Sequence, residues 1–217
     1  MSYNVDIVML IDATGSMSHI IDEVKSNATK LHDDLQSFMD TQQKKIDQLR
    51  VKVIFYRDIF FDEPAFFESR FFYLPKEDSE FKGFVSDMEA DGGGDEPESG
   101  LEALSKAITS DWDTSSDQSR QIIAIWSDAS AHELELGHEK GITSSDIPKD
   151  INELTSHWGQ NMKIDSKRLL MFTPDVYPWS SIAESWDQTI HYDSKAGNGL
   201  SEVSYEEIIK VISKSIS

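Results

Sequence analysis

Val5-Asp6-Ile7-Val8-Met9-Leu10-Ile11-Asp12-Ala13-Thr14-Gly15-Ser16-Met17 is the stretch from which the fold can be read. Val5 to Ile11 is almost continuously apolar and rich in β-branched side chains, as a strand buried on both faces should be. A long helical stripe follows. Met17, Ile20, Ile21, Val24, Ala28, Leu31, Leu35 and Phe38 recur at three- and four-residue spacing, with Asp, Glu, Lys and Asn elsewhere. Between strand and helix, Asp12, Thr14 and Ser16 present three oxygen-bearing side chains in one tight turn.

The same alternation continues outward. Strands are expected at Val51–Tyr56, Arg70–Leu74, Ile122–Trp126, Leu169–Phe172 and Thr189–Tyr192. Helical stripes are expected around Phe81–Met88, Leu101–Ile108, Ile151–Trp158, Trp179–Trp186 and Glu206–Ile216, and Ser127–Ser145 reads as a long loop. The short acidic connection before Arg70 fits an antiparallel neighbour better than a parallel one. The expectation is a Rossmann-like, three-layer α/β domain spanning 1–217. Its open sheet is mostly parallel with one antiparallel edge strand, and helices cover both faces.

Composition narrows the function. The chain has 217 residues, with 40 Asp+Glu against 20 Lys+Arg and a formal charge of −20. That balance opposes sequence-independent nucleic-acid binding, which needs cations to neutralise phosphates, and opposes docking on anionic membranes. It favours cations and basic partners, or simply a well-solvated acidic surface. Cysteine is absent, which removes disulfides, thiolate metal sites and Cys nucleophiles. The early apolar run, Ile7 to Ile11, is too short for a signal-peptide core. No run approaches the ~20 residues of a membrane span, so a cytoplasmic location is expected.

In open α/β sheets the ligand crevice lies beyond the carboxyl ends of the strands. Asp12 to Ser16, Arg57-Asp58, Asp128 to His132 and Thr173 to Asp175 leave those ends, and Gly92-Gly93-Gly94-Asp95 precedes a helix. Oxygen-only donors suit hard cations such as Mg²⁺, Mn²⁺ or Ca²⁺; Thr14 or Ser16 alone would equally serve as a helix cap. Arg57 and Asp58 can form a crevice-lining ion pair or a local structural one. His132 can back up Asp128 or pin its own loop. His132 and His138 are six residues apart, which excludes the two-histidine zinc-protease helix, where the spacing is four. The aromatic stretch Phe55 to Tyr73 has more rings than one strand face can bury, so some are expected at the sheet edge.

Asp12-Ala13-Thr14-Gly15-Ser16, the glycine-rich Asp95 loop and Asp128, in that order at strand ends, resemble a von Willebrand factor A domain with a metal-ion-dependent adhesion site. Thr14 replaces the first Ser of the Asp-x-Ser-x-Ser motif. Tyr56-Arg57-Asp58, Gly92-Gly93-Gly94-Asp95-Glu96-Pro97-Glu98 and Asp128-Ala129-Ser130-Ala131-His132 resemble a subgroup seen in alpha-kinase-associated and bacterial A domains. The resemblance implies a divalent cation held by Asp12, Thr14, Ser16, Asp95 and Asp128, with Arg57, Asp58, Glu98 and His132 around it or touching a ligand. Asp95 stands where the family has a neutral Thr; it either joins the metal or caps the following helix. The implied function is metal-dependent protein binding without catalysis. The alternatives are a metal-dependent phosphoester hydrolase, for which no nucleophile–base pair or basic phosphate cluster is found, and a scaffold beside a separately encoded kinase or phosphatase.

Overall fold

The structure is a computed structural model that describes residues 2–28, 30–94, 96–193 and 204–216. Seven strands form one sheet: β1 (Ser2–Asp12), β2 (Lys45–Tyr56), β3 (Phe66–Glu68), β4 (Phe72–Leu74), β5 (Ser119–Trp126), β6 (Lys167–Thr173) and β7 (Thr189–Asp193). The order is β3-β2-β1-β5-β6-β7, with β4 also on β2. The pairs β2–β1, β1–β5, β5–β6 and β6–β7 are parallel; β3 and β4 run antiparallel to β2. The expected mixed sheet is therefore present.

Period-two alternation explains why β1 has almost no polar interruption. Val5, Ile7, Met9 and Ile11 enter one apolar layer. That layer is covered by α1 (Ser18–Asn27), α2 (Leu31–Thr41), α3 (Asp78–Ser86) and α8 (Tyr205–Ile216). Val8 and Leu10 face the other layer, under α4 (Gly100–Ile108), α6 (Ile151–Asn161) and α7 (Trp179–Ser185). Burying a Val, Leu or Ile contributes about 1.5–3 kcal/mol, so a strand buried on both sides anchors both layers. Asp6, on the Val8 face, is buried and receives two bonds from Arg50, at 2.8 and 2.6 Å.

Three expectations are corrected. The long stripe from Met17 is divided into a single helical turn (Gly15–Met17), α1 and α2. The strand expected at Arg70–Leu74 is confined to β4, and β3 precedes it on the same edge: from Glu68 to Phe72 the chain takes four steps while β2 takes three, from Ile54 to Val51. That extra residue is a bulge, the kind of irregularity that guards sheet edges. Inside the expected 127–145 loop lies α5 (Leu134–Glu139), with Leu134 and Gly137 buried. Of the Phe55–Tyr73 rings, Phe55, Tyr56, Phe71 and Phe72 are buried, whereas Phe61 is 66% exposed and Tyr73 43%.

Candidate metal centre

From β1 the chain crosses to β2 on one side, and later returns to β5 on the other. Between β1 and β5 the order reverses, and there the loops leaving the two strands separate to open a crevice. Asp12 ends β1; Ser127 and Asp128 follow β5.

Asp12 is fully buried, and three donors hold its carboxylate. Thr14 gives its amide at 3.0 Å and its hydroxyl at 2.6 Å to Oδ1. The Ser127 hydroxyl donates to Oδ2 at 2.8 Å. Asp12 thus orients the turn rather than pointing freely into the crevice. Thr14 Oγ1 lies 3.4 Å from Ser16 Oγ, which donates to Asp128 Oδ1 at 3.0 Å. Oxygens from β1 and β5 therefore converge across the switch point. Asp128 is buried, yet its Oδ2 has no hydrogen-bond partner. A buried acceptor left unpaired is costly, and a cation would satisfy it.

Burial pushes the Asp12 carboxyl up to about 6, aided by the Asp128 charge and opposed by the Thr14 and Ser127 bonds. Glu98 rises further, to about 9, through burial first and then the charges of Asp12, Asp58, Asp62 and Asp128. This edge of the sheet thus gathers carboxyl groups that repel one another's ionisation, and among the described residues no Lys or Arg forms an ion pair with Asp12, Glu98 or Asp128. Among the described residues no three His, Asp or Glu side chains form a metal-holding cluster. A cation here would depend on hydroxyls as well as carboxylates, and Thr14, Ser16 and Asp128 supply that hard-oxygen mixture. The donor set and the orphaned Oδ2 fit a divalent ion.

The glycine loop closes the site from the side. Gly15 donates its amide to Gly92 O at 3.4 Å, and Asp91 donates to Ala13 O at 3.0 Å. Gly93 has φ +74°, and a Cβ there would lie 2.9 Å from Thr14 Cγ2 and 3.0 Å from Glu98 Oε1. Only glycine permits that approach in that conformation. Asp95 lies outside the described residues.

Glu98 packs its carboxyl beside Thr14 across Gly93, and its Oε2 is unpaired. Its backbone ties to the Asp128 loop, accepting from His132 N at 2.9 Å and donating to Ser130 O at 3.0 Å. His132 Nε2 faces buried Asp58 Oδ2 at 3.3 Å and stacks edge-on with Phe60. Asp58, Glu98 and His132 thus knit the loops of β2, α4 and β5 together. The expected Arg57–Asp58 pair is corrected: Arg57 donates to Glu89 O at 3.0 Å and lies over Phe67. Successive residues leave a strand end on opposite sides, so Arg57 turns away from the crevice that Asp58 faces. His138 is separate, donating to Ile147 O and Pro148 O.

Two participants were not singled out from sequence. Ser127 follows β5 immediately before Asp128, and that adjacency was the available signal. Asp62 accepts from Gly93 N at 3.0 Å and Asp58 N at 3.3 Å; in the sequence it is one acidic residue in an aromatic stretch, with no spacing that marks it.

An α/β sheet with an oxygen-lined crevice at its switch point defines the class, and the sequence agrees. Residues 6–145 match the von Willebrand factor A domain, and the chain belongs to that family. Over 225 aligned residues the chain is 28% identical to the alpha-protein kinase vwkA of Dictyostelium discoideum; the match covers 95% of the chain but 33% of that protein. In fold it resembles the pilus adhesin SpaC from Lactobacillus rhamnosus GG, with a TM-score of 0.60 at 12% identity, covering 99% of this chain and 30% of SpaC. It also resembles a von Willebrand factor type A protein from Catenulispora acidiphila, with a TM-score of 0.58 at 14% identity, covering 99% and 43%. Among the described residues no helix is long and apolar enough to cross a membrane.

Proposed function

We propose that the chain is a divalent-metal-dependent protein-binding module of the cytoplasm. The observation that carries this reading is the convergence of Thr14 Oγ1, Ser16 Oγ and the Asp128 carboxylate, with Asp128 Oδ2 buried and unpaired. Thr14, Ser16 and Asp128 would hold Mg²⁺, or Mn²⁺ or Ca²⁺ in its place, and Asp12 would orient Thr14. The ion supplies a positive centre to which a partner's oxygen can add; the chain's residues supply position and a rim. No catalytic step is assigned, because His132, at the rim, is engaged with Asp58 rather than with a hydroxyl nucleophile.

The likeness to an alpha-protein kinase supports a second reading of the same module as a scaffold beside a kinase. The chain spans a third of that relative, so kinase activity is not carried over.

Thermal melts test the site. A ligand that binds only the folded state adds about 2.7 kcal/mol at a hundredfold excess over its Kd. Saturating Mg²⁺ or Mn²⁺ should raise Tm relative to chelator, and Asp128→Ala should abolish the difference. Equal Tm values for the wild type in the two buffers reject the reading.

A further inference from the structure

At the amino-terminal edge of the sheet, about 20 Å along β5 from the crevice, two guanidinium groups share one face. Arg120 is the second residue of β5 and Arg168 the second of β6. The register sets Arg168 opposite Ile122. Arg120, two residues earlier, therefore points to the same side, toward the layer that Ile122 and Leu170 enter. Both side chains are partly buried. Arg120 lies over the Tyr3 ring at 4.9 Å and donates to Ile216 O and to Ser119 O, each at 3.0 Å. Arg168 donates to Lys167 O at 2.6 Å.

Arg50 and Arg70 each pair with a carboxylate, Asp6 and Glu77. Among the described residues no carboxylate pairs with Arg120 or Arg168. Burial, and then the Arg120 charge, lower the Arg168 guanidinium from its ordinary range, with the exposed Asp165 opposing them; a guanidinium nevertheless stays charged in a protein. Like charges on neighbouring strands are destabilising. Two positive charges thus stand together with no counter-charge bonded to either, in a chain with 40 acidic side chains against 20 basic ones. Each keeps open donors. Arg120 retains Nη2, and Arg168 retains Nε and Nη2, with no acceptor among the described residues. None of these three nitrogens is among the polar atoms sealed from solvent.

We propose that Arg120 and Arg168 form a site for a phosphate group, carried either by a phosphorylated side chain of a partner protein or by free inorganic phosphate. The open Nε and Nη2 of Arg168 form a fork that matches two phosphate oxygens, and Nη2 of Arg120 offers a third donor to the same group. A phosphate monoester carries about −1.5 to −2 at neutral pH, which balances two guanidiniums; a carboxylate would leave one of them unanswered. The charge of −20 over the whole chain repels long polyanions, which leaves a compact dianion as the fitting ligand. Both arginines lie at the end of the sheet away from Thr14, Ser16 and Asp128, so this site does not draw on the metal centre.

The test is a titration at pH 7.5 and low ionic strength, followed by ¹H–¹⁵N spectra, with three probes: inorganic phosphate, the blocked peptide acetyl-Gly-phosphoSer-Gly-amide and its Glu counterpart. Saturable shifts at residues 119–121 and 167–169 are expected with a phosphate probe. Tighter binding of the phosphopeptide identifies a phosphorylated protein as the source; binding of inorganic phosphate at least as tight identifies the free ion. Arg168→Gln removes the fork and one charge and should weaken binding about tenfold or more. Arg168→Lys, which keeps the charge and loses the fork, should fall between. Circular dichroism and a melt confirm that both variants fold; Arg120 is left in place because it also holds the end of α8. No saturable binding by either phosphate probe, equal binding by the Glu peptide, or unchanged affinity in Arg168→Gln overturns the proposal. Chelator is present throughout, so no metal ion in the crevice can hold the phosphate and the outcome is independent of the metal reading.

Discussion

Replacing Glu102 by Gln should stabilise the protein above neutral pH and leave it unchanged in acid. In the folded chain the Glu102 carboxyl is raised from 4.5 to about 7, with burial as the main cause. Between those values the native state keeps a proton that the unfolded chain has released. Stability contributed by Glu102 therefore falls as pH rises through this window, and the whole penalty stands above about pH 7. At about 1.4 kcal/mol for each tenfold change in proton affinity, the penalty is about 3 kcal/mol. Gln has the same shape and nothing to ionise. For a chain of this size, Glu102→Gln should raise Tm by about 6–12 °C at pH 8 and by little at pH 4.5. Urea unfolding of both proteins, without guanidinium salts, measures the gap across this range. A gap independent of pH, or no gap at pH 8, would refute the inference that burial holds the Glu102 carboxyl up in the folded chain.

Three further substitutions separate the site from the scaffold. Gly100→Ala places a Cβ 2.7 Å from the buried Trp179 ring, and Trp179 donates to Ala129 O at 2.9 Å; a loss of about 1–3 kcal/mol and weaker metal binding through the Asp128 loop are expected by denaturant titration and calorimetry. Arg50→Met strands buried Asp6 and should cost about 3–5 kcal/mol. Asp6 lies six residues before Asp12, about 20 Å along the strand, so metal affinity should stay at the wild-type value. His132→Ala removes the partner of buried Asp58 Oδ2 and should cost about 1–3 kcal/mol, read as a lowered Tm.

The strand and helix pattern was readable where periodicity is long. β1 shows both of its faces in Val5 to Ile11, because each face packs its own layer. The break between α1 and α2 escaped because Val24, Ala28 and Leu31 keep the helical phase across it; packing on the sheet preserves the stripe while the backbone is interrupted. The six-residue α5 escaped because two buried positions make no period. The edge bulge escaped because one extra residue leaves both flanking patterns intact.

In the crevice, Asp12, Thr14, Ser16 and Asp128 were legible from their places at strand ends, and the structure brings them together. The turn of Arg57 away from Asp58 depends on β2 side-chain alternation. The burial of Glu98 beside Thr14 depends on a Gly93 conformation that the letters Gly-Gly-Gly leave open. Glu102 was invisible because a carboxylate on a helix ordinarily faces water, and only the packing around α4 buries this one.

Calorimetric titration of Mg²⁺, repeated with Mn²⁺, into the wild type and into Thr14→Val and Asp128→Ala tests the central claim most directly. The account predicts one site per chain in the wild type, weakened in Thr14→Val, which loses one hydroxyl, and abolished in Asp128→Ala, with both variants folded by circular dichroism. Failure of the wild type to bind either ion, or wild-type affinity in Asp128→Ala, would contradict it.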